Sequence, residues 1–148
     1  RRMSAADISA VVFYAPDVLL NADGSPVRLM PRLVQELSGS LEVAAVCPDT
    51  EAATRVSQAY GNAIVRTAVV GTRGDHRAML RELLATGILN ASTTLFVDHH
   101  PRRCMEAVKL GIHAGIFEDA LRLYRDLGLW GLVPLIHRLS EVEEHLST

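Results

Sequence analysis

The chain has 148 residues, 49% hydrophobic and 22% charged, enough to bury one substantial core and too few for a second domain. A formal charge of −2 provides no global basic field, so sequence-independent nucleic-acid binding has no support. No apolar run approaches the roughly 20 residues that cross a bilayer and no hydrophobic signal region follows Arg1-Arg2-Met3, so no membrane partner is expected and the expected location is cytoplasmic.

The first element is the apolar run Ala10-Val11-Val12-Phe13, which stops at Tyr14-Ala15-Pro16-Asp17 and resumes at Val18-Leu19-Leu20. A continuous apolar run of this kind is what a central parallel strand looks like when both faces are covered. In open α/β sheets the pocket lies beyond the carboxyl ends of such strands, which makes Tyr14 to Asp17 the first stretch to inspect. Asn21-Ala22-Asp23-Gly24-Ser25-Pro26 is dense in turn formers. Leu29, Leu33, Val34 and Leu37 recur at helical spacing, with Pro31 in the first turn and Gly39 at the end. Leu41 to Val46 reads as a second strand, ending at Cys47-Pro48. Asp49 or Thr50 caps a helix from Glu51 to Tyr60, with Ala52, Val56 and Ala59 inward and Gly61 as its stop.

Ala63 to Val70 is a third strand, followed by the loop Gly71-Thr72-Arg73-Gly74-Asp75. Met79, Leu80, Leu83 and Leu84 mark a helix that closes near Gly87. Thr94 to Val97 is a short strand running into Asp98-His99-His100-Pro101. Cys104, Ala107 and Val108 line the next helix, Gly111 ends it, Ile112 to Phe117 is a fifth strand, and a helix from about Glu118 to Leu127 follows. Strand and helix alternate through short connections, the signature of a doubly wound, Rossmann-like parallel sheet of about five strands with helices on both faces. Residues 1–129 form this core. Residues 130–148 add a helical extension: Pro134 sits where a helix can start, and Leu135, Leu139, Val142 and Leu146 make an apolar stripe. That stripe either packs on its own domain or forms a homodimer or protein-partner surface, beside Trp130.

Leu95-Phe96-Val97-Asp98-His99-His100-Pro101 and the helix through Leu110-Gly111-Ile112 resemble the fourth motif of the haloacid dehalogenase-like (HAD) phosphohydrolases, a strand ending in Asp-Asp before a helix closed by Leu-Gly. Phe13 and Val18-Leu19-Leu20 match the frame of that superfamily's first motif, Asp-x-Asp-Gly followed by Val/Thr-Leu. The resemblance spans roughly residues 10 to 128. The segments after the first and second strands are too short for a cap domain, which implies a capless core with an open pocket.

The resemblance puts the family's nucleophilic Asp on Tyr14, its general acid-base Asp on Pro16 and its Gly on Asp17. Cys47 takes the Thr or Ser position, and Arg73 stands nearest to the Lys or Arg position, with His76 and Arg77 as fallbacks. Asp98 keeps the first acidic position of the fourth motif and His99 replaces the second. The family's chemistry needs a carboxylate nucleophile, a second carboxyl to protonate the leaving oxygen, and carboxylates to hold Mg²⁺. A phenol with an ordinary pKa of about 10 is mostly protonated at neutral pH, and proline handles no proton. Asp98 is the only retained acidic ligand, so any Mg²⁺ is weakly held and no cofactor is expected.

Several alternatives remain at this point. A register slip lets Asp17 replace the missing acid; Cys47 acts as a nucleophile, its pKa lowered by the following helix; or a zinc-like ion meets Asp98, His99 and His100. The expectation is a catalytically degenerate HAD-like domain working as a binding, regulatory or scaffolding module. The alternative is a hydrolase of altered chemistry acting on a phosphorylated small molecule, and a sensor that binds such a ligand without turnover lies between the two.

Overall fold

A computed structural model describes residues 8–71 and 75–148. Five strands, β1 Ala10–Tyr14, β2 Glu42–Cys47, β3 Arg66–Val69, β4 Thr94–Asp98 and β5 His113–Ile116, form one sheet in the order β3-β2-β1-β4-β5. All pairings are parallel. The helices are α1 Met30–Leu37, α2 Thr50–Tyr60, α3 His76–Ala85, α4 Pro101–Lys109, α5 Ala120–Leu129 and α6 Leu139–Ser147. The doubly wound α/β architecture read from the strand-helix alternation is therefore the one observed. Among the described residues no helix is long and apolar enough to cross a membrane.

Because side chains alternate along a strand, each strand feeds two cores. Val11, Phe13, Val43, Ala45, Cys47, Leu95 and Val97 enter one core, which α1, α2, α5 and α6 cover with Leu33, Leu37, Val56, Tyr124, Leu127 and Val142. Val12, Tyr14, Ala44, Val46 and Phe96 enter the other, covered by Met79, Leu80 and Leu83 of α3 and Ala107 of α4. This division sets which pocket residues can meet. Tyr14 and Cys47 end neighbouring strands and yet belong to opposite faces of the sheet.

Local chemistry sets three of the helix starts. Asp49, Asp75 and Asp119 each accept a hydrogen bond from a backbone N–H three residues on, capping α2, α3 and α5. The loop after β1 folds back on itself: the N–H groups of Leu19 and Leu20 donate to the Ala15 carbonyl, and the buried Tyr60 hydroxyl donates to the Leu19 carbonyl at 2.6 Å. These bonds pin the 15–20 turn to α2 and leave Asp17 in the left-handed region at φ 63°.

Several boundaries differ from the sequence reading. Residues 61–63 continue α2 as a 3-10 turn, so β3 starts at Arg66 rather than Ala63. Val108 points outward, 59% exposed, and α4 packs through Arg103, Cys104 and Ala107 instead. α5 runs to Leu129, past Gly128. A Cβ on Gly128 would lie 3.0 Å from the Leu135 Cα, so the returning chain uses the space a side chain would fill. Hence Pro134 starts no helix: the chain crosses α5 first and α6 begins at Leu139. Leu135 is about half exposed, whereas Val142 and Leu146 are buried in the α1/α5 core.

Three side chains fasten α6 to the core. The Tyr124 hydroxyl donates to Glu36 Oε2, His145 Nε2 lies 2.6 Å from Glu36 Oε1, and Tyr124 and His145 are themselves 3.2 Å apart.

Candidate functional site

The register that pairs Phe13 with Val97 brings the carboxyl ends of β1 and β4 side by side, 84 residues apart in the chain, and with them Tyr14 and Asp98. Neither faces an open pocket. Tyr14 is 4% exposed and Asp98 is fully buried. What fills the space is Arg103, from the first turn of α4. Its Nε donates to Asp98 Oδ2, its Nη2 donates to Asp98 Oδ1 at 3.1 Å, and its guanidinium carbon lies 4.3 Å from the centre of the Tyr14 ring. A bidentate guanidinium-carboxylate pair with an aromatic face beneath it is a strong arrangement, because planar geometry and a fixed charge are both matched. The His100 backbone N–H adds a 3.2 Å bond to Asp98 Oδ1.

The expectation of an open pocket is met only in part: the space at Tyr14 and Asp98 is packed with the chain's own side chains because Arg103 reaches back five residues from α4, whereas an open groove lies at Pro16 and Asp17.

The histidines form the rim. His99 lies between two carboxylates, its Nδ1 3.4 Å from Asp98 Oδ1 and its Nε2 3.3 Å from Asp17 Oδ2. The Nδ1 approach lacks hydrogen-bond geometry, and the Nδ1 atoms of His99 and His100 are both buried without a hydrogen-bond partner among the described residues. His76 packs edge-on against His100, ring centres 4.9 Å apart. Burial first, then the charges of Arg103 and His100, hold the His76 imidazole below its ordinary pKa.

The structure therefore gathers Tyr14, Asp98, His99 and Asp17, together with His76 and His100. It does not gather the rest. Cys47 is fully buried in the opposite core, where burial, helped by Asp49, pushes its thiol up to about 11. The expected lowering by the helix start is reversed, since desolvation of a thiolate outweighs it there. Arg77 is turned away, its Nε and Nη2 donating to Glu106 Oε2 at 3.0 and 2.8 Å. Arg73 lies outside the described residues. Pro16 and Asp17 line an adjoining open groove of about 350 Å³ with Leu20, Pro48, Asp49 and Arg55. Neither Tyr14 nor Asp98 lines it.

These residues do not fit Mg²⁺. Both oxygens of Asp98 are engaged by Arg103, the neighbouring strand end supplies a phenol, and among the described residues no group of three or more His, Cys, Asp or Glu side chains is placed to hold a metal ion. Asp98, His99 and His100 do not form such a group among the described residues.

Arg103 is the residue that motif reading passes over. Its signal is its place one turn into a helix that directly follows a strand-ending carboxylate, within reach of that carboxylate.

No family model matches the chain, and no curated protein matches it by sequence. Solved structures do match. A predicted HAD-like family hydrolase from Porphyromonas gingivalis superposes with a TM-score of 0.60 at 11% identity, over 80% of this chain and 98% of that one. An uncharacterized protein from Corynebacterium glutamicum gives 0.62 at 15% identity, over 87% and 99%. The L-2-haloacid dehalogenase from Xanthobacter autotrophicus, solved with chloropropionic acid covalently bound, gives 0.62 at 12% identity, over 93% and 88%. With an all-parallel five-stranded sheet, helices on both faces and these neighbours, the chain has the fold of the haloacid dehalogenase-like hydrolases.

Proposed function

We propose that this domain is a non-hydrolytic member of its fold type, acting as a binding, regulatory or scaffolding module. One observation carries the reading: the position where the fold's hydrolases place a nucleophilic carboxylate holds a phenol that is 4% exposed and lies beneath the guanidinium of Arg103. A nucleophile has to reach a substrate phosphorus in line, and a ring packed among Val12, Val46 and Phe96 leaves no room for that approach. Pro16 supplies no acid, and Cys47 is a protonated thiol facing the other core.

We further propose that the tail is where the module meets a second copy or a protein partner. Val142 and Leu146 are committed to the chain's own core, so the contact falls to the outward side, where Leu135 is exposed along with Glu141 and Glu144.

A second reading has its own support. Asp17, held at positive φ on the lip of the open groove, lies 3.3 Å from His99 Nε2. A carboxylate paired with an imidazole beside a groove is a general-base arrangement, and it would serve a hydrolase of altered chemistry acting on a phosphorylated small molecule.

One assay separates the readings. Hydrolysis of a generic aryl phosphate by the purified protein, with and without Mg²⁺, is expected to stay at the buffer rate. Turnover that Asp17→Asn abolishes would overturn the first reading and establish the second.

A further inference from the structure

We infer that Arg103 is the site's permanent cation, a side chain occupying the place that the fold's hydrolases give to a divalent metal, so that its presence keeps metal from Asp98. The inference concerns the site's charge rather than its turnover and does not depend on the functional proposal.

Asp98 is fully buried, and a buried carboxylate is tolerated only with a compensating charge or hydrogen bonds. Arg103 supplies both, donating to each carboxylate oxygen, while the His100 backbone N–H takes a further lone pair on Oδ1. A guanidinium remains protonated at any pH a folded protein survives, so this compensation is always present. Its other face is held by the Tyr14 ring at 4.3 Å, and the side chain is 9% exposed, which leaves it little room to swing away.

A metal arriving at Asp98 would have to displace two charge-assisted bonds and sit against the positive charge it displaced. Mg²⁺ is also reluctant to shed its waters, which a buried carboxylate would require. A phenol suits this state where a carboxylate would not. A second negative charge at position 14 would demand a second cation, while a neutral ring accepts Arg103 on its face. Tyr14 and Arg103 are in this sense a matched pair replacing a carboxylate and a metal.

The test is a Mn²⁺ titration of the full chain, read by paramagnetic broadening of the His99 and His100 ring protons and by the thermal midpoint. In the natural protein, millimolar Mn²⁺ is expected to leave those lines sharp and the midpoint unmoved. In Arg103→Ala, and in Arg103→Met, which keeps the apolar stem, the same lines are expected to broaden. The gain in affinity is at least about tenfold, because removing one unit charge a few ångströms from a metal is worth more than that even at a high effective dielectric.

Selective broadening at His99 and His100 in the natural protein would overturn the inference. So would folded variants that stay silent, since Arg103 would then not be what excludes the metal. For a variant that does not fold alone, the titration is read as refolding: rescue by millimolar Mg²⁺ or Mn²⁺ supports the inference and absence of rescue overturns it. Metal-free turnover of an aryl phosphate would end the functional proposal and leave this inference standing.

Discussion

Two clusters in this molecule are built from the same three kinds of group, a carboxylate, a nitrogen base and a phenol. Asp98, Arg103 and Tyr14 close the carboxyl end of the sheet on the α3/α4 side. Glu36, His145 and Tyr124 fasten α6 on the other side. The first cluster has a guanidinium that never gives up its charge and a carboxylate with no exposure to solvent. The second has an imidazole that carries charge only when protonated, and both Glu36 and His145 are partly exposed.

The difference in burial decides what each cluster can be. A buried fixed ion pair cannot be half broken without leaving a bare charge in the core, so it behaves as a permanent part of the fold. A partly exposed one can come apart into water at modest cost and behaves as a latch.

That contrast can be put to the test by removing the carboxylate of the first cluster. Asp98→Ala strands Arg103 in the core, and the expected loss is about 3–5 kcal/mol of folding stability in urea titration, the range for breaking a buried pair from one side. A loss under about 1 kcal/mol would mean that Arg103 swings out to water and that the lock is superficial.

The latch should respond less. Tyr124→Phe removes one donor to Glu36 while His145 stays in place, and about 1–2 kcal/mol is expected from the same titration. A loss as large as that of Asp98→Ala would erase the distinction between the two clusters.

The smallest effect at neutral pH comes from two buried thiols, one beside the first cluster and one on the opposite face. The Cys104 Sγ lies 3.5 Å from the Asp98 carbonyl oxygen, and Cys47 sits in the other core. Burial above all, with Asp98 and Asp49 respectively adding to it, raises each thiol from 9.0 to about 11. A group raised in the folded state contributes its stability fully below the unfolded value and loses it as pH climbs toward the folded one. Stability should therefore fall between about pH 9 and 11, as the unfolded thiols ionise before the folded ones, and nothing is lost at neutral pH. Cys47→Ala with Cys104→Ala should flatten that alkaline slope in chemical unfolding; an unchanged slope would assign it to other groups.

That Tyr14, Pro16 and Cys47 stand where the resemblance puts other residue types is legible in the sequence. What packs around them is not. Arg103 lies in a helix where an arginine is ordinary, and its place in the first turn after a strand-ending carboxylate does not by itself separate it from Arg102 beside it. The same holds for the groove: Asp17, Asp49 and Arg55 come from two separate stretches and share a surface because β1 pairs with β2 and the Tyr60 hydroxyl pins the 15–20 turn to α2. The start of α6 lies away from Pro134 for a like reason. Pro134 is a sound helix beginner, but Gly128 offers a bare stretch of α5 that the chain crosses before turning.

The sequence by itself determined the order of strands and helices, the Asp49 cap and most of the apolar positions, because these depend on periodicity and on hydrogen bonds between residues a few positions apart. Tertiary structure decided which side chains meet at the end of the sheet. Parallel pairing sets β1 against β4 across 84 residues, and the twofold alternation of side chains sends Tyr14 and Asp98 to the Arg103 face and Cys47 to the other. Both depend on long-range register and on burial, which short-range spacing does not encode.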